Sequence, residues 1–525
     1  MTPATSAPPV RRRLSVAGLV QGVGFRPHVA RLAGALEVGG WCRNTSTGVV
    51  IEVEGDRDQV ARFVERLRAD LPPLARIDRL IEQDVAPQQA VDFAISPSAS
   101  SAGARALVPP DTAVCDECVG EMWDVADRRH RHPFITCTNC GPRLSITREV
   151  PYDRPVTSLR DFPLCPACAA EYSDPSDRRF HAQPIGCHDC GPTVWFADPA
   201  GEVTLRREDA LGAAVAALVA GKILAVKGIG GYHLVCDATS SAAVTHLRRR
   251  KSRPDKPFAV MVQDLRVAAH IVTVDGAAEV LGSPGRPIVL LPRVDSPEEG
   301  FAVAEEVAPG LGELGVMLAY APLHHLLLAD LAAATGRPSV LVVTSGNAAG
   351  EPLTYRDEDV AEMLGPLVDG ILGHNREIVV PVEDSVVAWA AATGPVPIRR
   401  SRGYAPLPIA LTSVLDSDPS ELGSRGDAGP VVLAAGAELK NTVALAAGGQ
   451  VHLSGHVGDL ETLSALRAHQ AVTDQLLAFH RGRPQVLVAD LHPGYASSAW
   501  ARRYAEELGV EVIEVQHHHA HLASL

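Results

Sequence analysis

Apolar positions along the chain alternate between strand-like runs and helix-like segments. Leu14–Val20 has the pattern of a strand, and an apparent helix follows over Pro27–Leu36. Further along, a helical pattern over Ala210–Ala220 precedes a buried strand over Lys222–Val226. Leu341–Val343 is another short apolar run that ends in small polar residues. This alternation predicts several α/β domains.

The C-terminal part of the chain, residues 430–525, continues the same pattern. Val431–Ala435 and Thr442–Ala446 flank a turn and predict a β-hairpin. A buried strand is predicted over Gln485–Asp490, and a further strand over Val510–Val515. The preceding Ser/Asp/Gly-rich stretch lacks such periodicity and indicates a linker, which we assign to residues 406–429.

Length and charge limit the possible functions. A chain of 525 residues predicts three or four domains, and a net charge of −14 argues against a nucleic-acid partner. No apolar run approaches the roughly 18 residues of a membrane span. The basic start Arg11–Arg13 is followed by an apolar stretch that Gln21 and Arg26 interrupt, unlike a secretory signal. We therefore expect a cytoplasmic protein without a membrane partner.

Eight of the 10 cysteines form four Cys-x-x-Cys pairs within residues 108–195. Two pairs are separated by 18 residues, and the other two repeat that spacing. Soft thiolate ligands at this spacing predict two structural zinc sites of four cysteines each. Spacing leaves open whether each repeat closes its own site or the pairs interleave. The predicted ligands are Cys115, Cys118, Cys137, Cys140, Cys165, Cys168, Cys187 and Cys190.

The two cysteine sets are offset by 50 residues, and the match extends beyond them. Arg128-Arg129 aligns with Arg178-Arg179, and Gly-Pro follows the last cysteine of each set. A duplicated zinc unit accounts for this match. Because four cysteines complete a site, the neighbouring histidines are expected at the surface or in contact with the next domain; they are His130, His132, His181 and His188.

A glycine-rich turn follows the first predicted strand. It reads Gln21-Gly22-Val23-Gly24-Phe25-Arg26, and Gly40-Trp-Cys-Arg-Asn44 comes shortly after it. Two glycines allow successive backbone N–H groups to face one anion at a helix N-terminus. Residues 10–98 thereby resemble the acylphosphatase family, which implies a ferredoxin-like fold. The resemblance implies that Arg26 binds the substrate phosphate and Asn44 positions the attacking water.

A second glycine-rich turn, Lys227-Gly-Ile-Gly-Gly-Tyr232-His-Leu, lies within residues 200–405, before a cationic run and a Ser-Gly-Asn element. This constellation resembles the YrdC family, whose twisted α/β fold binds ATP and makes acyl-adenylates. The turn replaces that family's Pro-Thr-Asp-Thr-Val-Tyr-Gly-Leu, which leaves the acid substrate open. Mg²⁺ is expected on the ATP phosphates. The resemblance implies nucleotide or carbamate binding by Lys227, Tyr232, Lys251, Arg253, Lys256, Ser345 and Asn347.

Two further segments of this region are expected to line the site. The first is Leu318–Leu328 with Pro322-Leu-His-His325, and the second is His374-Asn375-Arg376 with Glu383-Asp384-Ser385. His374-Asn375-Arg376 is the better candidate, because three polar side chains cluster before a β-rich run.

Histidines follow the last predicted strand in the sequence Gln516-His517-His-His-Ala-His521. Residues at i and i+4 share one helical face, so His517 and His521 are expected to bind one divalent metal. The region resembles the TsaD-type carbamoyltransferase family, an actin-like fold that holds metal beside a nucleotide. The family's third acidic ligand and second lobe have no place in this sequence, so we expect a partial domain and a truncated chain.

The joint order of these four segments resembles the HypF family of [NiFe]-hydrogenase maturation carbamoyltransferases. The resemblance implies cleavage of carbamoyl phosphate and adenylation of carbamate by ATP with release of pyrophosphate. Transfer to the C-terminal cysteine of the partner HypE then supports cyanide-ligand synthesis. The alternatives are a fused tRNA threonylcarbamoyladenosine-type enzyme, a small-molecule O-carbamoyltransferase and a non-enzymatic zinc scaffold.

Overall fold

The computed structural model describes residues 8–45, 47–99, 107–295, 300–411, 429–447, 449–480 and 482–524. The chain divides into two compact units. The first consists of Met1–Pro109, Val114–Pro192 and Phe479–Arg481. The second consists of Pro110–Ala113, Thr193–Ala478 and Gly482–Leu525. Most of the predicted linker, residues 412–428, lies outside the described residues.

The first unit begins with an α/β sandwich made of β1 (Val10–Leu19), α1 (Phe25–Ala35), β2 (Gly39–Thr45), β3 (Gly48–Gly55), α2 (Arg57–Ala69), β4 (Arg76–Val85) and β5 (Phe93–Ile95). The strand order is β4-β1-β3-β2-β5, and all neighbours are antiparallel except β2 and β5. The succession β1-α1-β2-β3-α2-β4 is that of a ferredoxin-like fold. This part of the predicted fold class is confirmed.

Alternating side chains give the central strands two different faces. Leu14 and Val16 of β1, with Ile51 and Val53 of β3, are at most 3% exposed. The other face carries charge, because Arg11 donates hydrogen bonds to the carboxylates of Glu52 and Glu54 at 2.7 Å each. The arginine and both glutamates are buried, so this ion-pair cluster connects β1 to β3 without exposure to water.

The rest of the first unit contains little regular structure. Between two short helices, α3 (Asp116–Trp123) and α4 (Pro166–Ser173), the backbone forms turns and three short 3-10 helices: Leu144–Ile146, Arg154–Val156 and Ser158–Asp161. One of its apolar clusters contains only Cys168, Ala182, Ile185 and Cys187 as buried members. A core this small requires further stabilisation, and bound metal is the usual source.

The second unit is dominated by an 11-stranded mixed sheet. Its order is β16-β15-β11-β12-β10-β13-β9-β8-β14-β6-β7. Three neighbouring pairs are parallel, and the others are antiparallel. Its elements are β6 (Val194–Ala197), β7 (Val203–Arg206), α5 (Arg207–Val219), β8 (Leu224–Lys227), β9 (Tyr232–Asp237), α6 (Ser241–Arg250), β10 (Ala259–Val262), α7 (Leu265–Ala269), α8 (Ala278–Gly282), β11 (Ile288–Pro292), β12 (Glu313–Leu318), α9 (Pro322–Thr335), β13 (Leu341–Ser345), α10 (Val360–Leu364), β14 (Gly370–His374), β15 (Val386–Ala390) and β16 (Gly394–Arg399).

A six-stranded sheet completes the second unit, in the order β17-β20-β19-β18-β21-β22. The predicted hairpin is present as the antiparallel pair β18 and β19. Ile409–Ala410 lies inside the segment predicted as a linker, yet it forms a strand that pairs with β20. The elements are β17 (Ile409–Ala410), β18 (Val432–Ala434), β19 (Ala444–Ala447), β20 (Gln450–Leu453), α11 (Leu463–His480), β21 (Val486–Asp490), α12 (Ala496–Leu508), β22 (Glu511–Val515) and α13 (His517–Ala523).

Within the described residues, no helix combines the length and the apolar character that crossing a bilayer requires.

Replacing Arg11 by alanine should lower the free energy of unfolding of the first unit by about 3 kcal/mol, because Glu52 and Glu54 would remain buried without their cation. Urea denaturation monitored by circular dichroism measures this change. Arg12→Ala is the matched control, since Arg12 pairs with Glu82 and Asp84 near the surface and should contribute at most about 1 kcal/mol.

The same ion pairs predict a pH dependence of stability. Burial alone would raise the pKa values of Glu52 and Glu54, but hydrogen bonds, including those from Arg11, lower both pKa values. Their contribution is therefore complete above the unfolded pKa of about 4.3 and is lost as pH falls through the lowered folded values. Arg11→Ala should lose less stability than the native chain on acidification, and an equal loss would contradict this account.

Candidate functional site

The predicted phosphate loop connects β1 to α1 and adopts the backbone that its glycines allow. Gly22 and Gly24 have φ values of 66° and 74°, in the left-handed region that favours glycine. Gln21 fixes the base of the loop, since its Nε2 donates to the carbonyl oxygens of Thr45 and Gly48 at 2.7 and 2.8 Å. The loop is therefore tied to the turn between β2 and β3.

Arg26 and Asn44, the predicted catalytic pair, contact two consecutive residues of the first unit. Arg26 Nη2 lies 2.8 Å from Asp153 Oδ1, and Asn44 Nδ2 donates to the carbonyl oxygen of Tyr152 at 3.5 Å. Both side chains are more than nine-tenths buried. Within the described part of the chain, Asn44 Oδ1 has no hydrogen-bond partner. A buried amide oxygen of this kind is suited to accept a hydrogen bond from water.

Asp153 was not identified from the sequence, although it holds the Arg26 guanidinium. Its carboxylate also accepts a hydrogen bond from the Ser98 hydroxyl. The contact joins residues 127 positions apart, and no local pattern marks Asp153 as a partner.

Each zinc repeat closes its own set of four cysteines, which answers the question that spacing left open. In the first repeat, Cys137 Sγ lies 3.7 Å from Cys115 Sγ and 3.8 Å from Cys140 Sγ. In the second, Cys187 Sγ lies 3.7 Å from Cys165 Sγ and 3.8 Å from Cys190 Sγ. Four sulfurs about 2.3 Å from one ion in a tetrahedron lie about 3.8 Å apart, so both sets fit Zn²⁺.

The aligned arginine pairs of the two repeats contact the cysteines of the opposite repeat. Arg128 Nη2 lies 2.9 Å from Cys168 Sγ, and Arg178 Nη2 lies 2.8 Å from Cys118 Sγ. The neighbouring arginines follow the same reciprocal rule, since Arg129 pairs with Glu171 and Arg179 with Glu121. Each repeat thus supplies the positive charge that compensates the thiolates of the other.

The surface position expected for one nearby histidine is wrong. His132 is 1% exposed, and its ring lies 4.8 Å from the His188 ring, centroid to centroid. Burial and neighbouring positive groups hold the pKa of His132 well below its usual range. It is therefore a neutral packing residue between the repeats.

In the second unit, the predicted cationic residue Lys251 contacts the predicted Ser-Gly-Asn element. Lys251 Nζ donates to the carbonyl oxygens of Ser345 and Asn347 at 2.7 Å and to Asn347 Oδ1 at 2.8 Å. The Ser345 hydroxyl donates to the same Oδ1 at 2.8 Å. Burial, with a smaller effect of Arg253, lowers the pKa of Lys251 to about 7.

The other two residues of the cationic element are more accessible than Lys251. Arg253 donates to the carbonyl oxygen of Lys256 at 3.2 Å, and its guanidinium lies over the Phe258 ring at 5.0 Å. Burial lowers the pKa of Arg253 to about 10. Lys256 is exposed, and burial of its stem and the charges of Arg253 and Arg399 lower its pKa.

Lys227 and Tyr232 form a second, buried group around Asp357. Lys227 Nζ and the Tyr232 hydroxyl lie 2.6 and 2.7 Å from Asp357 Oδ1. Burial lowers the pKa of Lys227, although Asp357 opposes this effect. The Gly346 amide donates to the Tyr232 carbonyl oxygen at 2.7 Å, so this group adjoins the Ser-Gly-Asn element.

Buried charges also surround the second polar segment singled out from the sequence. Asp384 accepts hydrogen bonds from His233 at 3.0 Å and from Arg402 at 2.8 Å. The Arg402 guanidinium lies 3.5 Å from the centre of the Tyr320 ring. Arg402 was not identified from the sequence, whereas Tyr320 lies within the segment Leu318–Leu328 that was expected to line the site.

Residues from the C-terminal sheet region lie close enough to the cationic element for their charges to interact. Burial lowers the pKa of His456 to about 4, while charges on Glu383, Arg399, Asp459 and Lys256 act on it from nearby. The Thr462 hydroxyl donates to the Gly350 carbonyl oxygen at 3.5 Å. His456, Asp459 and Thr462 were not assigned to a site from the sequence.

The predicted histidine pair lies at the start of α13. His517 Nε2 and His521 Nε2 are 3.2 Å apart, close to the roughly 3.4 Å expected for two nitrogens on one tetrahedral ion. His517 Nδ1 lies 2.6 Å from Asp490 Oδ2. Asp490 ends β21 beside Val515, so adjacent parallel strands bring it to the histidines. Among the described residues, groups of three or more potential ligands occur only at the cysteines.

Family models match four parts of the chain. A model described as Acylphosphatase matches residues 12–95, and the HypF finger matches 114–147 and 164–197. A model described as Telomere recombination, of the Sua5, YciO and YrdC group, matches 216–401, and the HypF Kae1-like domain matches 427–525.

Whole proteins with similar sequences and structures agree with these domain matches. Carbamoyltransferase HypF2 of Cupriavidus necator is 45% identical over 98% of this chain and 63% of its own length. A crystal structure of full-length HypF in the phosphate- and nucleotide-bound form superposes with a TM-score of 0.89 at 39% identity, over 98% of this chain and 64% of that one. An acylphosphatase of Moorella thermoacetica is 40% identical over 17% of this chain and 96% of its own length. This chain thus spans less than two thirds of the HypF relatives, and over that span it belongs to the HypF family.

Proposed function

We propose that the chain cleaves carbamoyl phosphate, adenylates the released carbamate with ATP and passes the carbamoyl group to an acceptor thiol. The observation that carries this proposal is the presence, in one chain, of two sites suited to successive steps. The Arg26–Asn44 site suits an acyl phosphate, and the Lys251–Ser345–Asn347 cluster suits a nucleotide.

In the first step, Arg26 binds the phosphate group through its planar guanidinium. Contact with Asp153 keeps that guanidinium in one orientation before substrate arrives. Asn44 Oδ1 accepts a hydrogen bond from the water that attacks the acyl phosphate. The bond between the acyl group and phosphate breaks, and carbamate and inorganic phosphate are released.

In the second step, a carbamate oxygen attacks the α-phosphorus of ATP and pyrophosphate leaves. Lys251 donates three hydrogen bonds to protein acceptors, so its part is to hold the Ser345–Asn347 segment and to contribute charge. The more accessible Arg253 and Lys256 neutralise the phosphates of ATP. When bound, Mg²⁺ supplies further charge to the phosphate oxygens.

In the last step, a thiolate attacks the carbonyl carbon of carbamoyl-adenylate and AMP leaves. By relation to the family, the acceptor is the C-terminal cysteine of a HypE-type partner. His517 and His521 are suited to hold a divalent ion there, and Asp490 orients His517. Such an ion supplies positive charge beside the nucleotide. A cytoplasmic location is consistent with eight cysteines arranged for metal rather than for disulfides.

Exchange of labelled pyrophosphate into ATP tests the first two steps together. The chain should catalyse exchange that depends on carbamoyl phosphate, and Arg26→Ala should lower the rate roughly 100-fold. Arg31→Ala, an exposed arginine on the same helix, is the control and should retain exchange.

Supplying carbamate directly, as freshly dissolved ammonium carbamate, should restore exchange to Arg26→Ala but not to Lys251→Ala, because only the first variant has an intact second site. Exchange that requires threonine and bicarbonate instead of carbamoyl phosphate would contradict the proposal.

Single cysteine substitutions test the zinc assignment. Cys137→Ser and Cys187→Ser should each remove one of two zinc ions, because each repeat closes its own site. Zinc content measured by mass spectrometry gives the number of ions. Cys42→Ala, outside both sites, should retain two, and loss of both ions from either serine variant would argue for shared ligands.

Metal binding by His517 and His521 can be tested by calorimetric titration of Ni²⁺ into protein whose zinc sites are already occupied. His517→Ala and His521→Ala should remove binding at this position, and Asp490→Asn should weaken it by roughly 10-fold to 100-fold. His519→Ala is the matched control, since His519 lies on another face of α13. Equal affinities in all four variants would exclude a metal site on His517 and His521.

A further inference from the structure

The first zinc repeat lies directly against the phosphate loop. We call its segment Cys137–Pro142 the first knuckle. A Cβ atom on Gly24 would lie 3.0 Å from Asn139 Oδ1 and 3.3 Å from Thr138 Cβ, so a side chain there would press against the first knuckle. Gly22 is equally confined, since its Cβ would lie 2.8 Å from Pro109 Cγ and 3.0 Å from the Tyr152 ring. The two glycines therefore serve close packing as well as backbone geometry.

One buried side chain, Arg143, joins the first knuckle to the loop. Its Nη1 donates to the carbonyl oxygens of Cys140 and Pro142 at 2.8 Å each. Its Nη2 donates to those of Cys137 at 3.3 Å and Thr138 at 2.9 Å. Its Nε donates to the Gly22 carbonyl oxygen of the phosphate loop.

A guanidinium has five N–H donors in a fixed plane, and these five bonds match that number. Four acceptors belong to the first knuckle, and the fifth belongs to the loop. Arg143 is 1% exposed, so loss of any of these bonds would leave a polar group buried without water. The position of Gly22 is therefore coupled to the first knuckle.

The Gly22 carbonyl has a direct relation to anion binding. A peptide unit is planar, so a carbonyl held on one side directs the next N–H to the opposite side. Fixing the Gly22 oxygen therefore fixes the direction of the Val23 N–H. Successive N–H groups of such a loop are the donors for a bound anion, and their fixed direction avoids reorganisation on binding.

Comparison of the two repeats shows that a zinc knuckle does not require this arginine. The offset of 50 residues aligns Cys140-Gly-Pro-Arg143 with Cys190-Gly-Pro-Thr193. Both repeats gather four cysteines, yet only the first has an arginine at this position. The arginine is thus specific to the knuckle that meets the phosphate loop.

We propose that Arg143 is a positioning residue of the acyl phosphate site, and that the first knuckle is a structural part of that site. Arg143 holds the loop in its anion-binding conformation through Gly22 and does not touch the substrate. The inference rests on the proposed cleavage of carbamoyl phosphate at Arg26.

Titration with inorganic phosphate, followed by calorimetry, measures the anion affinity of the loop. Arg143→Ala should bind phosphate more weakly by a factor on the order of 10 to 100, as for other residues that orient a ligand-binding group. The KM for carbamoyl phosphate should rise in parallel, while zinc content stays at that of the native chain. Free guanidinium at low millimolar concentration should restore part of the affinity, because it fits the vacated position.

Arg128→Ala is the matched control, since Arg128 also joins parts of the zinc module but bonds to Glu171 and Cys168 rather than to the loop. It should retain the phosphate affinity of the native chain. If the alanine variant loses zinc or fails to fold, Arg143→Lys tests whether the Arg143 guanidinium holds the phosphate loop. One ammonium group cannot span the knuckle and Gly22 as five guanidinium donors do, so phosphate affinity should still fall about 10-fold.

Native phosphate affinity in a zinc-replete Arg143→Ala or Arg143→Lys protein would overturn the inference. The phosphate affinity of Arg26→Ala is measured in the same experiment. It distinguishes a wrong role for Arg143 from a wrong assignment of the phosphate loop. If Arg26→Ala also bound phosphate and cleaved carbamoyl phosphate normally, the assignment of the loop itself would be wrong.

Discussion

The negative charge of two four-cysteine clusters is the constraint on which the first unit depends. Zinc is bound by thiolates, and four of them around one Zn²⁺ leave a net charge of about −2 at each site. Guanidinium groups compensate this charge across the repeat boundary, with Arg128 on Cys168 and Arg178 on Cys118. Each repeat thus takes part of this compensation from the other. The duplicated module therefore gains mutual neutralisation as well as a second metal site.

The position of the two repeats in turn determines the position of the segment that completes the proposed phosphate site. Arg143, Tyr152 and Asp153 leave the first repeat on a backbone with only short 3-10 turns. Arg143 contacts Gly22 of the phosphate loop, Tyr152 contacts Asn44, and Asp153 contacts Arg26. A metal-bound module without regular structure can place three different groups at one point because the ions, rather than a helix or sheet, hold its backbone. The zinc sites thus belong to the scaffold of the proposed phosphate site.

The features that sequence predicted well are local. The cysteine spacing and the Gly-x-Gly loop each depend on residues close in the chain, and the ferredoxin-like fold followed from the acylphosphatase resemblance that this loop carries. The YrdC resemblance assigned Lys251, Ser345 and Asn347 to one site, and the structure shows these three residues in contact. Contacts without such a template were missed. Asp153 lies 127 positions from Arg26 in the sequence, and Asp384 lies 151 positions from His233. Hydrophobic periodicity predicts local elements and gives no information on contacts at such sequence separations.

The missed residue Asp490 could have been identified from its position at the end of a strand. The error over His132 is explained by its burial. Asp490 ends β21, and His517 follows β22, its parallel neighbour, so strand ends alone bring them together. His132 was expected at the surface because four cysteines already complete each site. His132 is nevertheless buried beside the His188 ring, and a neutral imidazole packs there at less cost than a charged group.

Carbamate loses carbon dioxide quickly in water, so its chemistry favours a second site that is organised before the intermediate arrives. The second unit has that property. Lys251 is buried against the Ser345–Asn347 segment, and Lys227 and Tyr232 share Asp357, so neither group needs to reorganise from a hydrated state. Residues beyond the β17 strand contribute to the same surroundings, since Asp459 acts on the pKa of Lys256, and Lys256 acts on that of His456. The C-terminal segment therefore forms part of the electrostatic surroundings of the cationic element, where the proposed adenylation would take place.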